Sequence, residues 1–116
     1  MGSKKKKPKK SPPKASTPKN NNHNIARIVV VGVGGGGGNA VSRMRNDMVR
    51  GIDFMAINTD VQDLEYCNAR QKVHIGKNLT RGLGTGMNPE LGRQAAEENK
   101  AEIAEALRGA DLVFLT

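Results

Sequence analysis

The chain is short of disulfide partners, of long apolar runs and, at one end, of acids. It has a single cysteine, Cys67, so no disulfide closes within it. That fits a reducing compartment, with Cys67 read as a small, partly buried apolar side chain. No apolar run approaches the roughly 20 residues that span a bilayer. The N-terminus also lacks the apolar stretch of a secretory signal, so a soluble, cytoplasmic protein is expected. The first 24 residues hold no acid but eight lysines, which accounts for the whole formal charge of +8. Residues 25–116 carry 11 Lys/Arg against 11 Asp/Glu. A neutral fold behind a basic tail does not have the charge distribution of a nucleic-acid-binding domain, so nucleic acid is not an expected partner.

At 116 residues the chain holds one domain at most, or part of one. Residues 1–24 are mostly Lys, Pro, Ser and Asn. They have too little apolar surface to offset the entropy of ordering, so this stretch is read as a disordered basic tail. Its favoured role is a solvated leader; contact with anionic lipid, or with nucleic-acid phosphates, is the alternative. Met1-Gly2-Ser3 is not a myristoylation signal, because that motif wants Ser or Thr at position 6 and Lys6 stands there.

Order is expected from Ile25. Ile28-Val29-Val30-Val31 is a β-branched run, as in a strand covered on both faces. A helix is expected over Asn39–Val49, with Val41, Met44 and Met48 at helical spacing and Gly51 as its left-handed cap. Residues 52–57 and, more weakly, 72–75 read as strands, with a short turn or helix near 61–66. Asn88 and Pro89 form a helix start, cap then first position, for one helix running to about Leu107 and ended by Gly109. Leu91, Ala95, Ile103 and Leu107 share one face of it. Ala110–Leu115 reads as a further buried strand. Alternating strands and helices argue for an α/β fold: a mostly parallel, Rossmann-like sheet with helices on both faces. Ending on an apolar strand, the sequence is expected to be a fragment of a longer domain.

Gly32-Val33-Gly34-Gly35-Gly36-Gly37-Gly38-Asn39 lies between the first strand and the first helix. There, open α/β sheets bind phosphates. Glycines let the backbone turn tightly and approach an anion, and the helix start offers N–H groups and a positive dipole end. Asn39 either caps the helix or meets the ligand. Asn58-Thr59-Asp60 ends the second strand beside the same crevice and either contacts ribose or base or simply caps a short helix. Gly82-Leu83-Gly84-Thr85-Gly86-Met87-Asn88-Pro89 repeats the glycine-then-helix pattern, so two helix starts could face one polyphosphate; otherwise it is a flexible connection. No Lys-Ser or Lys-Thr pair follows the glycines, which excludes an ordinary P-loop. Gly32, Gly34 and Gly37 satisfy the dinucleotide fingerprint, so a dinucleotide-dependent oxidoreductase fragment remains a rival, as does a basic-tailed binding module without nucleotide.

Together, GVGGGGGNAV (32–41), AINTD (56–60) and GLGTGMNPELG (82–92) resemble the FtsZ family, the tubulin-like GTPases of bacterial cell division. The likeness covers nearly all of 25–116 and implies the N-terminal part of a GTP-binding domain. It implies that Gly35, Gly36, Gly37, Gly38 and Asn39 contact the phosphates of GTP or GDP. Asp60 and then Thr85, Gly86 and Met87 would line the same site, the last three near the terminal phosphate. The family often has Ala at the positions of Thr85 and Met87, a change that backbone contacts tolerate. Mg2+ is the metal expected with GTP, although no metal ligands can be assigned within this sequence. The resemblance also implies head-to-tail filaments of identical subunits, division-ring protein partners and a mid-cell location. Three family features are missing: the glycine-threonine signature, the guanine-recognising residues and the acidic loop that completes a neighbour's site. No catalytic residue is therefore assigned in 1–116, and the fragment is expected neither to hydrolyse GTP nor to polymerise. His23 and His74 lack partners at metal-ligand spacing. Glu97, Glu98, Glu102 and Glu105 read as a solvated helix face paired in part through Lys100, with a filament contact as the alternative.

Overall fold

The computed structural model describes residues 25–47 and 50–116. The basic tail, Met48 and Val49 lie outside the described residues. Among the described residues four strands form one sheet: β1 (Ile28–Val33), β2 (Ile52–Asn58), β3 (Gln71–His74) and β4 (Leu112–Leu115). Their order is β3-β2-β1-β4 and every pairing is parallel. Between them the described residues form α1 (Gly34–Asn46), α2 (Val61–Tyr66), α3 (Lys77–Thr80), α4 (Pro89–Glu98) and α5 (Lys100–Ala106). No described helix is long and apolar enough to cross a membrane.

The β-branched run of β1 lies between two neighbours and sends side chains to both faces. Val29 and Val31 join Met55, Ile57, Val73, Ile75 and Ala95 on one face, with Ile103 and Leu107 packed over them. Val30 joins Val41, Phe54, Ala56, Leu64 and Cys67 on the other. Hence α1 and α2 cover one face, and α4 and α5 the other. This is the expected α/β sandwich, and Cys67 is indeed a buried apolar element at its edge.

The chain moves from β1 outward through β2 to β3, then returns to place β4 on the opposite side of β1. The strand order therefore reverses beside β1. In open parallel sheets, ligand crevices form at the carboxyl ends of strands around such a reversal. The turn after β1 occupies that position. β4 has only β1 beside it, and Leu112, Val113, Phe114 and Leu115 are all exposed, not buried as expected.

Four further departures from the sequence reading concern the helices. First, α1 begins at Gly34, not Asn39, so most of the glycine run is helical. Glycine is a poor helix former, but the fit of α1 against the sheet outweighs that local preference. Second, α1 ends at Asn46 with Asp47 as its C-cap, so Gly51 is not its cap. Gly51 still has a positive φ of 76°, immediately before β2. Third, the helix after Pro89 is broken at Asn99 (φ −113°, ψ 26°). The Asn99 side-chain oxygen accepts the Gly76 N–H at 2.8 Å, tying the break to the turn after β3. Fourth, the acids do not pair through Lys100: Glu98 accepts from Asn78 and Glu102 from Asn99, while Arg108 pairs with Glu105 at 2.7 Å and Arg93 with Glu90 at 2.7 Å and Glu97 at 4.0 Å. Hydrogen bonds from the arginines hold the Glu90 and Glu105 carboxyls below the usual range.

The start of α4 follows expectation. Asn88 Oδ1 accepts the N–H groups of Glu90 (3.1 Å) and Leu91 (3.2 Å), and Pro89 follows at the first position. Replacing Asn88 by Ala leaves two amides uncapped. The expected cost is about 1 kcal/mol of unfolding free energy, read from urea denaturation followed by circular dichroism.

Candidate functional site

Above the carboxyl ends of β1 and β2 lies a cleft of about 100 Å³. Gly34, Gly35, Gly38 and Asn39 form one wall, Ala56 and Asn58 the floor, and Asp63, Leu64, Tyr66 and Cys67 of the α2 segment the other wall. Among the described residues no lysine or arginine lines it, so the attraction they offer an anion comes from the backbone.

The start of α1 is built to supply it. Its N-cap is Val33, which has no side chain able to cap, and no acid occupies the first turn. By contrast, α2 and α4 are capped by Asp60 and Asn88. The first-turn amides of α1 thus lack the protein acceptor that the other two helices have. Unpaired amides on the positive end of a 13-residue helix favour an anion.

The glycines of the run do different jobs. Gly34 has φ +75°, a left-handed turn that reverses the chain from β1 into α1. Gly32 and Gly37 are pressed together. A Cβ on Gly32 would collide with the Gly37 carbonyl oxygen and come within 2.7 Å of Val41 Cγ2. A Cβ on Gly37 would sit 2.5 Å from the Thr116 carbonyl oxygen and 2.8 Å from the Gly32 carbonyl carbon. Thr116 is held there by a pair of backbone bonds, its N–H to the Val31 carbonyl (2.9 Å) and its carbonyl to the Val33 N–H (2.8 Å). Gly36 faces open space. A Cβ on Gly35 would enter the cleft, 3.1 Å from Asp63 Oδ2.

Asn39 lies within α1 and so cannot cap it; its side chain belongs to the cleft wall. Asn58 Oδ1 accepts the Asp60 N–H at 3.0 Å, which shapes the turn after β2. Asp60 Oδ1 accepts the N–H groups of Gln62 (3.0 Å) and Asp63 (3.2 Å), so Asp60 caps α2 and does not line the cleft. The second glycine loop is fastened to this turn: Leu83 forms a bridge with Asp60, and the Val61 N–H donates to the Gly82 carbonyl at 3.2 Å. His74 reinforces the same turn, with Nε2 3.0 Å from the Thr59 carbonyl oxygen. Thr85, Gly86 and Met87 follow that bridge and do not line the cleft between α1 and α2. Met87 has φ +65° and is almost fully exposed. Asp63, Leu64, Tyr66 and Cys67 line the cleft but were not singled out as site residues. The signal that could have found them is the short apolar-polar segment after Asp60, whose capped helix must lean on α1.

The architecture and this glycine turn coincide with those of a known family. The family model for the GTPase domain of the Tubulin/FtsZ family matches residues 27–116. The chain belongs to the Tubulin/FtsZ family. Solved Tubulin/FtsZ structures agree with that assignment. A tryptophan-to-tyrosine mutant of FtsZ from M. jannaschii is 47% identical, with a TM-score of 0.76 over 78% of this chain and 27% of that one. An empty FtsZ dimer from M. jannaschii is also 47% identical, with a TM-score of 0.75 over 78% of this chain and 26% of that one. CetZ2 from Haloferax volcanii, described as a GTPγS-bound protofilament, is 30% identical, with a TM-score of 0.67 over 77% of this chain and 29% of that one. The chain thus spans about a quarter to three tenths of the Tubulin/FtsZ structures it matches. Membership decides between the rival readings of the glycine turn. It belongs to a GTPase domain, not to a dinucleotide-dependent oxidoreductase.

Proposed function

We propose that this chain carries the first phosphate-binding elements of a GTP-binding, GTP-hydrolysing tubulin homologue that polymerises into the ring of bacterial cell division. The observation that carries the reading is the uncapped, acid-free start of α1, opening on a cleft at the point where the strand order reverses. The N–H groups over Gly35–Gly38 receive the phosphates of GTP or GDP, and Asn39 reaches the nucleotide from the cleft wall. Asp60 holds α2 and the second glycine loop in place. Thr85, Gly86 and Met87 approach the terminal phosphate from that loop. Their positive-φ backbone at Gly86 and Met87 supports a contact through main-chain atoms.

Subunits stack head to tail in this reading, and hydrolysis awaits acidic residues from the next subunit. The FtsZ dimer and the CetZ2 protofilament among the matched structures support self-association. The full protein then acts in the cytoplasm at mid-cell, among other division-ring proteins. Mg2+ accompanies GTP in this reading. Its role would be to neutralise phosphate charge.

Among the described residues we assign none the role of orienting an attacking water. The purified chain is therefore expected to release no phosphate from GTP above the buffer rate and to form no sedimenting polymer. Phosphate release that rises in proportion to chain concentration would contradict this.

A further inference from the structure

The side chain at the break between α4 and α5 reaches across the fold to a distant turn. Asn99 Oδ1 accepts the Gly76 N–H at 2.8 Å, across 23 residues. That bond closes residues 76–99 into one excursion, which runs through α3 and the second glycine loop and returns along α4. Gly76 is buried and has φ +66°. A Cβ there would lie 2.5 Å from Ala95 Cβ on α4 and 3.4 Å from Thr59 Cγ2 after β2. A buried amide in so close a place depends on its protein acceptor, and loss of the Asn99 oxygen would leave it unpaired.

From Gly76 the hydrogen bonds continue to the glycine loop. The Gly76 carbonyl accepts the Leu79 N–H (3.0 Å), the Thr80 N–H (2.9 Å) and the Thr80 hydroxyl (3.3 Å). The Thr80 hydroxyl oxygen accepts the Gly82 N–H at 3.3 Å, and the Thr80 carbonyl accepts the Leu83 N–H at 3.1 Å. Thr80 is buried, so these bonds form away from water, where they are strongest. Together they run without a gap from Asn99 to Gly82. Glu98 adds a tether from Asn78 at 2.8 Å, but that pair is exposed and contributes less. The second bond of Asn99, from Nδ2 to Glu102 Oε1 at 3.1 Å, stays within the first turn of α5.

We propose that Asn99 is a positioning residue for the second glycine loop. Acting through Gly76 and Thr80, it sets how Thr85, Gly86 and Met87 approach a terminal phosphate. The phosphate part rests on the nucleotide reading above; the positioning part does not. Coupling along such a chain is demonstrated only by measurement at its far end, and the two bonds of Asn99 can be removed separately.

Amide hydrogen exchange of the 15N-labelled chain, read by NMR, compares wild type with Asn99→Ala, Asn99→Asp and Glu102→Ala. Asn99→Ala removes both bonds, Asn99→Asp keeps an acceptor for Gly76, and Glu102→Ala removes only the bond within α5. In Asn99→Ala, exchange at Gly76, Thr80, Gly82 and Leu83 should rise at least about fivefold more than at the β1 and β2 amides. In Asn99→Asp and Glu102→Ala it should stay within about twofold of wild type. Should Asn99→Ala fail to fold, Asn99→Gln, which displaces the acceptor by one methylene, carries the same expectation. A rise confined to Gly76, or one equal across the sheet, overturns the proposal. Calorimetric titration then compares GDP with GTPγS. Asn99→Ala should lose at least about fivefold in affinity for GTPγS and less than about twofold for GDP, because only a γ-phosphate meets the loop in that reading. Equal losses for the two ligands overturn the phosphate part. Absence of saturable binding of either ligand by wild type removes the nucleotide reading, and the exchange result still decides the positioning part.

Discussion

Alanine at Gly37 is expected to cost about 3 kcal/mol of stability or more, the upper range for forcing an atom into a close-packed interior. The added Cβ would meet backbone on two sides, the Thr116 carbonyl oxygen at 2.5 Å and the Gly32 carbonyl carbon at 2.8 Å. Neither neighbour is the free end of a flexible side chain. The Thr116 oxygen is fixed by its bond from the Val33 N–H, and Gly32 lies in the central strand. Relief therefore means shifting β1 against α1, or opening the β1–β4 pairing. Gly32→Ala should behave alike, since its Cβ would strike the Gly37 carbonyl oxygen and Val41 Cγ2, and Val41 is fully buried. Urea denaturation followed by circular dichroism reads the loss. Gly36→Ala is the control. It meets nothing within 4 Å and sits in a helix, where alanine is favoured over glycine by roughly 0.5–1 kcal/mol, so its stability should hold or rise.

Alanine at Gly35 is expected to separate binding from folding. Its Cβ meets only the exposed Asp63 carboxylate, at 3.1 Å, and a side-chain rotation relieves that contact. The stability change should stay within about 0.5 kcal/mol. The same methyl group projects into the cleft beside the uncapped amides. Close approach of a phosphate to those amides needs the absence of side chains there. Affinity for GDP should therefore fall at least about tenfold, a loss comparable to one charge-assisted hydrogen bond. Calorimetric titration beside a thermal melt separates the two effects. Unchanged GDP affinity in Gly35→Ala would place the nucleotide elsewhere. A collapse in stability would instead show that Gly35, like Gly37, is a packing glycine.

The contrast between Gly35 and Gly37 shows where sequence reasoning reached and where it stopped. Position was legible: a β-branched run, then glycines, then a helix put the turn at the carboxyl end of a buried strand. The second strand, the short helix after Asp60 and the Asn88-Pro89 helix start were legible for the same reason, since their signals are local. What each glycine does was not, because five consecutive glycines carry no side chain to mark which is pressed, which is turned and which is bare. Their roles come from neighbours far along the chain, Asp63 beside Gly35 and Thr116 beside Gly37. The break at Asn99 was hidden likewise, being caused by a bond to Gly76 across 23 residues. Asp60 illustrates a different limit. An Asn-Thr-Asp turn can hold a ligand or cap a helix, and in the structure its side chain caps α2. The cleft wall of Asp63, Tyr66 and Cys67 depends on how α2 leans on α1, which periodicity over six residues cannot convey.

The start of α1 is expected to receive nucleotide phosphate through its backbone amides. A titration of the 15N-labelled chain with Mg2+–GDP, followed by amide NMR, tests it most directly. The largest shifts should fall on the amides of Gly35, Gly36, Gly37, Gly38 and Asn39, with smaller shifts at Asn58 and Asp63. Inorganic pyrophosphate should reproduce the shifts in the glycine run. Saturable binding that leaves those amides unmoved while shifting others, or no shift at all at high ligand concentration, would contradict it.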